Sequence, residues 1–214
     1  SLAGVYAGKS QRVRPPVPRH IRIFGAGIAG CAVARELASQ GINVELFDPN
    51  GIAHGGSRMQ ASALHCRLLG DLSATAEFRA RAYHHARPNL ARPDVAAPIS
   101  AAQLALNARE VEKQRRIDEV YGDSEDPWLQ FLDAYAVSEQ LGLTARSALL
   151  LKDSAIINLP QLCTKLVAHP RIHFVRSAGV GQPDVIACAS KSRQFAPAMP
   201  LEIGDVFGQL EWIA

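Results

Sequence analysis

Ile21-Arg22-Ile23-Phe24-Gly25-Ala26-Gly27-Ile28-Ala29-Gly30 runs on to Gln40-Gly41 and then to Asn43-Val44-Glu45-Leu46-Phe47-Asp48. This stretch reads as a complete βαβ unit. Ile21, Ile23 and Phe24 are strand formers, and Ala29 to Ala38 are mostly helix formers that put Ala32, Val33, Leu37 and Ala38 on an apolar face. Gly41 stops the helix. A G-x-G-x-x-G run carries information only between a strand and a helix, and here it stands there. Gly25 permits the tight turn, Gly27 lets a pyrophosphate approach bare backbone, and Gly30 lets helix and strand pack closely. The amides of Ala26 and Ile28 belong to the same turn, where a helix N-terminus favours anions. Asp48 closes the second strand about twenty residues on, where a carboxylate accepts from ribose hydroxyls. An acid there disfavours a 2′-phosphate, which leaves FAD or NAD.

The 214 residues carry a formal charge of +3, with 48 % hydrophobic residues. That composition predicts a globular protein of one domain or slightly more, without a strong bias toward polyanions. No apolar run nears the roughly 20 residues of a membrane span, and Ser1 to Val5 do not read as a secretion signal. Cys31, Cys66, Cys163 and Cys188 are scattered, which argues against a disulfide framework or a metal site. The expectation is a reduced, cytoplasmic protein without membrane or metal.

Residues 1–20 read as a basic, proline-rich linker, with Pro15, Pro16 and Pro18 among Lys9, Arg12, Arg14 and Arg19. A solvated linker and a nucleic-acid contact both fit it. After Asp48, Pro49 to Ser57 is turn-rich, and Ala61 to Leu69 is apolar enough to enter a core. Ser73 is placed to cap a helix reaching about Ala86, with His84 and His85 exposed at its end. The prolines between Arg87 and Pro98 predict irregular chain. Gln103 to Leu106 predicts a short strand, and Ala108 to Tyr121 a helix with Val111, Ile117 and Val120 inward. Trp128 to Ala134 predicts a strand or turn, and Ser138 to Leu143 one helical turn ended by Gly142. Ala148 to Leu151 predicts a strand, and Leu159 to Ala168 a helix with Pro160 in its first turn. Ile172 to Val175 and Val185 to Ala189 predict buried strands that extend a parallel sheet.

These segments, in this order, resemble one family. IRIFGAGIAGCAVARELASQGINVELFDP, AHGGSRMQASALHCRLLGD, QLALNAREVEKQRRI, FLDAYAVSEQLGL, ALLLKDSAIINLPQLCTKLVAHPRIHFV, DVIACAS and MPLEIGDVFGQLEWI carry the likeness. It is to the flavin oxidoreductase half of the bifunctional tRNA 5-methylaminomethyl-2-thiouridine biosynthesis proteins, among the D-amino-acid-oxidase-like flavoproteins. The resemblance implies an α/β, Rossmann-like FAD-binding domain over 21–86 and 150–200. It is interrupted by part of a smaller α+β substrate domain over 87–149 and 201–214. It implies FAD as cofactor, tRNA as a partner and a fused or separate methyltransferase domain, which the tail-like Ser1 to Gly4 also suggests. The reaction it implies is oxidation of the carboxymethylaminomethyl group of a wobble uridine to aminomethyl.

By the same resemblance, Gly25, Ala26, Gly27, Ile28, Gly30, Asp48 and Pro49 hold the adenosine diphosphate side. Gly55 and Ser57 form a second phosphate-side loop leading to Ser62, Val180 contacts adenine, and Ala189 stands at a strand end beside the flavin. Several positions depart from the family. Arg58 and Met59 replace small residues, Lys191 stands where glycine is usual, and the interval from Val175 to Asp184 is short. The chain ends at Ala214, where the family's substrate sheet begins. No catalytic side chain is assigned. Two further expectations stay open: a nucleotide-binding or interaction module without redox work, and a glycine or D-amino-acid oxidase. A serine nucleophile has no G-x-S-x-G elbow to support it.

Overall fold

A computed structural model of the chain describes residues 16–90, 93–122, 128–177 and 182–187. Two sheets organise it. The first is parallel, in the order β7-β2-β1-β8, with β1 (His20–Phe24), β2 (Asn43–Phe47), β7 (Ile172–Val175) and β8 (Val185–Ile186). The second has β6 (Ser147–Ile157) at its centre. Antiparallel to it run β4 (Ala96–Ala105) on one edge and β3 (Ser62–Leu64) and β5 (Leu129–Asp133) at its two ends.

The βαβ unit forms as its spacing predicts. Between β1 and β2 lies α1 (Ile28–Ser39), and Gly41 ends the turn after it at φ +89°. Ile23 and Leu46 of the strands are fully buried against Cys31 and Ala34 of α1. α5 (Leu159–Val167) packs beside α1 through Leu162, Cys163 and Leu166. Its N-cap is Asn158, whose side chain accepts from the Gln161 amide, and Pro160 sits in the first turn where no helical N–H is needed. Val95, Ala155 and Ile157 bring the second sheet into this same core.

A second core lies between β6 and two helices, α2 (Ala74–Leu90) and α3 (Ala108–Tyr121). It gathers Leu68, Ala80, Tyr83, Ile117, Trp128, Leu149 and Leu151. A smaller cluster of Leu132, Val137 and Ala148 sits under α4 (Ala134–Leu141), which Gly142 ends at φ +65°. Among the described residues no helix is long and apolar enough to cross a membrane.

Several expectations need correction. The chain from Arg87 to Pro98 is not irregular throughout. α2 continues to Leu90 with Pro88 in its last turn. Proline removes one helical hydrogen bond and crowds the carbonyl four residues earlier, and α2 ends two residues beyond it. In the same turn the Asn89 side chain donates to the His85 carbonyl. Pro98 lies inside β4, which is an edge strand and so tolerates a missing N–H. The short strands expected at Gln103 and Ala148 are therefore parts of strands of ten and eleven residues. α4 is longer than one turn and starts at Ala134, capped by Asp133, which accepts from the Ala136 amide. β7 is an edge strand, partly buried rather than buried. Of the three inward positions expected on α3, Ile117 is buried, while Val111 and Val120 are intermediate.

Gln114 on α3 is buried as well, and nothing in the helical pattern marks it. Its Nε2 donates to the Gln103 carbonyl at 2.7 Å, and the buried Ser147 hydroxyl donates to its Oε1 at 2.7 Å. This clamp ties α3 to β4 and β6. Gln114→Ala strands two polar groups and should cost about 1–3 kcal/mol, read as a lower urea midpoint with unchanged slope. A midpoint equal to wild type would show that water replaces the clamp without loss.

Candidate active site: the crevice at the start of the first helix

In an open parallel sheet, ligands bind outside the carboxyl ends of the strands, where neighbouring connections diverge. Here that place lies past β1, where the chain leads to β2 on one side and β8 lies on the other. Gly25 takes φ +106°, which turns the chain from strand to helix, and its amide donates to the Phe47 carbonyl at 2.8 Å. A side chain is strained at that φ. On Gly30 an added Cβ would lie 1.8 Å from the Gly25 carbonyl oxygen. The first turn of α1 thus stands on the backbone of the glycine turn itself.

Gly27 is the N-cap of α1 and supplies no side-chain cap. Ser57 does so from a distance in sequence. The Ile28 amide donates to Ser57 Oγ at 2.9 Å, and an added Cβ on Gly27 would come within 3.2 Å of that oxygen. Ser57 is 7 % exposed although Gly55 and Gly56 before it are exposed. The hydroxyl accepts from the helix, which leaves its own hydrogen available for a further oxygen.

Asp48 organises the other wall. Its Oδ2 accepts from the Ala26 amide at 3.1 Å and its Oδ1 from the Asn50 amide at 3.0 Å. The carboxylate therefore joins the end of β2 to the glycine turn. Pro49 follows it and is exposed. Sequence reasoning missed Ala53, which takes φ +58° and donates its amide to the Ala26 carbonyl at 2.8 Å. That carbonyl also accepts from Cys31 Sγ at 3.3 Å. An alanine in left-handed backbone has no sequence signal, whereas Gly51, at φ +109°, was visible in the turn-rich loop. The neighbouring Cys163 and burial both push the Cys31 pKa up, so it is held as a neutral thiol.

The structure thus brings Gly25, Ala26, Gly27, Ile28, Gly30, Asp48 and Ser57 together around one helix end. Ser62 is not among them; it opens β3, paired with Ile157. Arg58 and Met59, the departures in this loop, are accommodated. The Arg58 amide donates to Gly55, its side chain is exposed, and the Met59 carbonyl accepts from the Leu159 amide. Val180, Ala189, Lys191 and Cys188 lie outside the described residues, as do residues 1–15 of the linker and 201–214. Among the described residues no group of three or more His, Cys, Asp or Glu is placed to hold a metal ion.

The arrangement fits a dinucleotide. The Ala26 and Ile28 amides are spent on Asp48 and Ser57, but bare backbone at Gly27, the positive end of a helix and one hydroxyl suit a diphosphate. A carboxylate at the end of β2 suits a ribose.

The family model described as FAD dependent oxidoreductase, DAO, matches residues 20–174. A relative from Ralstonia nicotianae is 31 % identical over 131 residues, covering 58 % of this chain and 20 % of its own length. One from Nitrosospira multiformis is 30 % identical over 170 residues, covering 74 % of this chain and 27 % of its own. Both are named tRNA 5-methylaminomethyl-2-thiouridine biosynthesis bifunctional protein MnmC. The chain therefore spans about a fifth to a quarter of the length of these curated relatives.

Among solved structures, glycine oxidase from Geobacillus kaustophilus superposes with a TM-score of 0.60 at 19 % identity, over 84 % of this chain and 58 % of that one. Iminodiacetate oxidase from Chelativorans sp. BNC1 gives 0.58 at 17 % identity, over 86 % and 58 %. These two share the fold. With the family match spanning well over half of its length, the chain belongs to the DAO family of FAD-dependent oxidoreductases.

Proposed function

We propose that this chain holds the adenosine diphosphate side of FAD for a tRNA-modifying oxidoreductase. Its substrate is the carboxymethylaminomethyl group of a wobble uridine, and its product the aminomethyl group. The observation that carries the reading is the coincidence of the DAO match with an intact crevice at the start of α1, in a chain whose curated relatives carry a tRNA-modification name. Gly25, Gly27 and Gly30 shape the diphosphate cradle. The amides at the start of α1 and the Ser57 hydroxyl hold the phosphate oxygens. Asp48 holds the ribose. Pro49 and Gly55 border the crevice, and Val180 and Ala189 are assigned to the adenine and flavin sides.

FAD would accept the two electrons of the amine oxidation, and water would then hydrolyse the oxidised C–N bond, leaving the aminomethyl group and releasing the carboxymethyl carbons as glyoxylate. What these residues contribute is binding and orientation. The helix end neutralises part of the diphosphate charge, and Asp48 fixes the sugar so that the distal part of the cofactor is directed out of the crevice. A methyltransferase unit, fused or separate, is the expected partner, in keeping with relatives that are named bifunctional. Work on tRNA would place the protein in the cytoplasm.

The test is anaerobic mixing of the FAD-loaded chain with tRNA bearing the carboxymethylaminomethyl group, in parallel with glycine, sarcosine and D-alanine. Loss of the flavin's visible absorption with the tRNA alone is expected. Loss with an amino acid instead would make the chain an amino-acid oxidase. Stable absorption with every substrate would leave a nucleotide-binding module without turnover.

A further inference from the structure

A hollow of about 650 Å³ that shares no lining residue with the α1 crevice lies between the end of α2 and the β4–β6 pair. Its size is ordinary for a ligand pocket. Pro88 and Pro98 are among the apolar parts of its wall, and His84, Arg87, Lys152 and Asp153 bring the polar groups.

Two of those polar groups are there because the sheet is irregular. The register pairs Ile99 with Ser154 and Ala101 with Leu151, so Ser100 alone faces both Lys152 and Asp153. Such a bulge breaks the alternation of side chains and re-aims them, and bulges gather next to binding sites. The Ser100 hydroxyl donates to the Lys152 carbonyl, and the Lys152 amide to the Trp128 carbonyl at 2.9 Å.

The charges do not cancel. Asp153 is taken by Arg87 at 2.9 Å, and the Tyr83 hydroxyl holds the Asp153 carbonyl at 2.8 Å. Lys152 is exposed and has no carboxylate partner among the described residues. His84 is exposed, but its ring stands against Trp128 at 4.7 Å and 76°. The hollow therefore offers a restrained aromatic ring, flat apolar walls and one unspent cation.

We infer that this hollow receives an unstacked nucleotide of an RNA strand, with the base against His84 and the prolines and its phosphate on Lys152. Protein sites for single-stranded RNA are built from these elements, a ring for stacking and a cation for the backbone. The inference rests on the tRNA reading above and adds a second place of contact, distinct from the cofactor crevice.

The full chain, loaded with FAD, is titrated with tRNA and with a fluorescein-labelled six-nucleotide RNA, following anisotropy. Lys152→Glu should weaken both about tenfold and flatten the dependence of log affinity on log salt by about 0.7, one phosphate contact to a single strand. His84→Ala should weaken the short RNA at least fivefold, the lower end of what loss of a stacking partner produces. In a Trp212→Phe background, the short RNA should change the fluorescence of Trp128, and Lys152→Glu should abolish that change. FAD affinity should be the same in every variant. If both variants bind RNA as wild type does, the inference falls while a tRNA-acting enzyme remains. If the FAD-loaded wild type binds no RNA, the inference and the tRNA reading fall together.

Discussion

Gly30→Ala should damage both the stability of the chain and its hold on FAD. The added methyl carbon would sit 1.8 Å from the Gly25 carbonyl oxygen and 3.0 Å from its carbon. The obstacle is backbone, and that backbone is already fixed by the Gly25 bond to Phe47 and by its positive φ. It cannot turn aside as a side chain would. Relief requires α1 to lift from β1, against the buried contacts of Cys31 and Ala34. Overpacking of this kind costs about 1–3 kcal/mol, and a rigid neighbour places the case at the upper end. For a chain of this size about 3 kcal/mol lowers Tm by about 6–12 °C. The same displacement moves the first-turn amides away from the diphosphate, so FAD retention should fall with it. Gly56→Ala is the matched control, since an added Cβ there meets nothing within 4 Å. Its stability should stay within about 0.5 kcal/mol of wild type. Equal melting of Gly30→Ala and wild type would show that helix and strand do not pack as described.

Asp48→Ala should leave a folded chain that holds adenosine nucleotides poorly. The carboxylate accepts from the Ala26 and Asn50 amides, one partly buried and one exposed. Hydrogen bonds to a charged group contribute about 1.5–3 kcal/mol each when sheltered, and less where water competes. The loss of stability should therefore be modest, about 1–2 kcal/mol. Affinity for ADP should fall about 10- to 100-fold, which corresponds to about 1.4–2.7 kcal/mol. A ribose contact can be separated from a loosened turn by comparing ADP with 2′-deoxy-ADP. Wild type should prefer the ribose form, and Asp48→Ala should bind the two alike. A preference that survives the substitution would remove Asp48 from the sugar site and leave it as a turn residue.

The βαβ unit was legible because its information is local. Gly25, Gly27 and Gly30 answer steric needs of their own neighbours, and Asp48 answers a strand end at fixed spacing. The second sheet was less legible for the opposite reason. β4 contains Pro98, and β6 contains the polar pair Lys152 and Asp153, so both break the patterns by which strands are recognised. An edge position excuses the first and a bulge the second, and both are properties of pairing across the sheet. The same holds for Gln114. Its burial is decided by Gln103 and Ser147, which stand on other elements, and it looks like a surface residue of a charged helix until they are in place. Ser57 lies between these cases. The loop that contains it was marked by its glycines, but that its hydroxyl caps α1 follows only from the fold.

The central claim is that a diphosphate sits on the amides that open α1. A crystal of the chain grown with ADP tests it most directly. Difference density should show phosphate oxygens about 3 Å from first-turn amides of α1 and from Ser57 Oγ, with the ribose hydroxyls at the Asp48 carboxylate. ADP bound elsewhere, or absent while the crevice is open to solvent in the lattice, would contradict it.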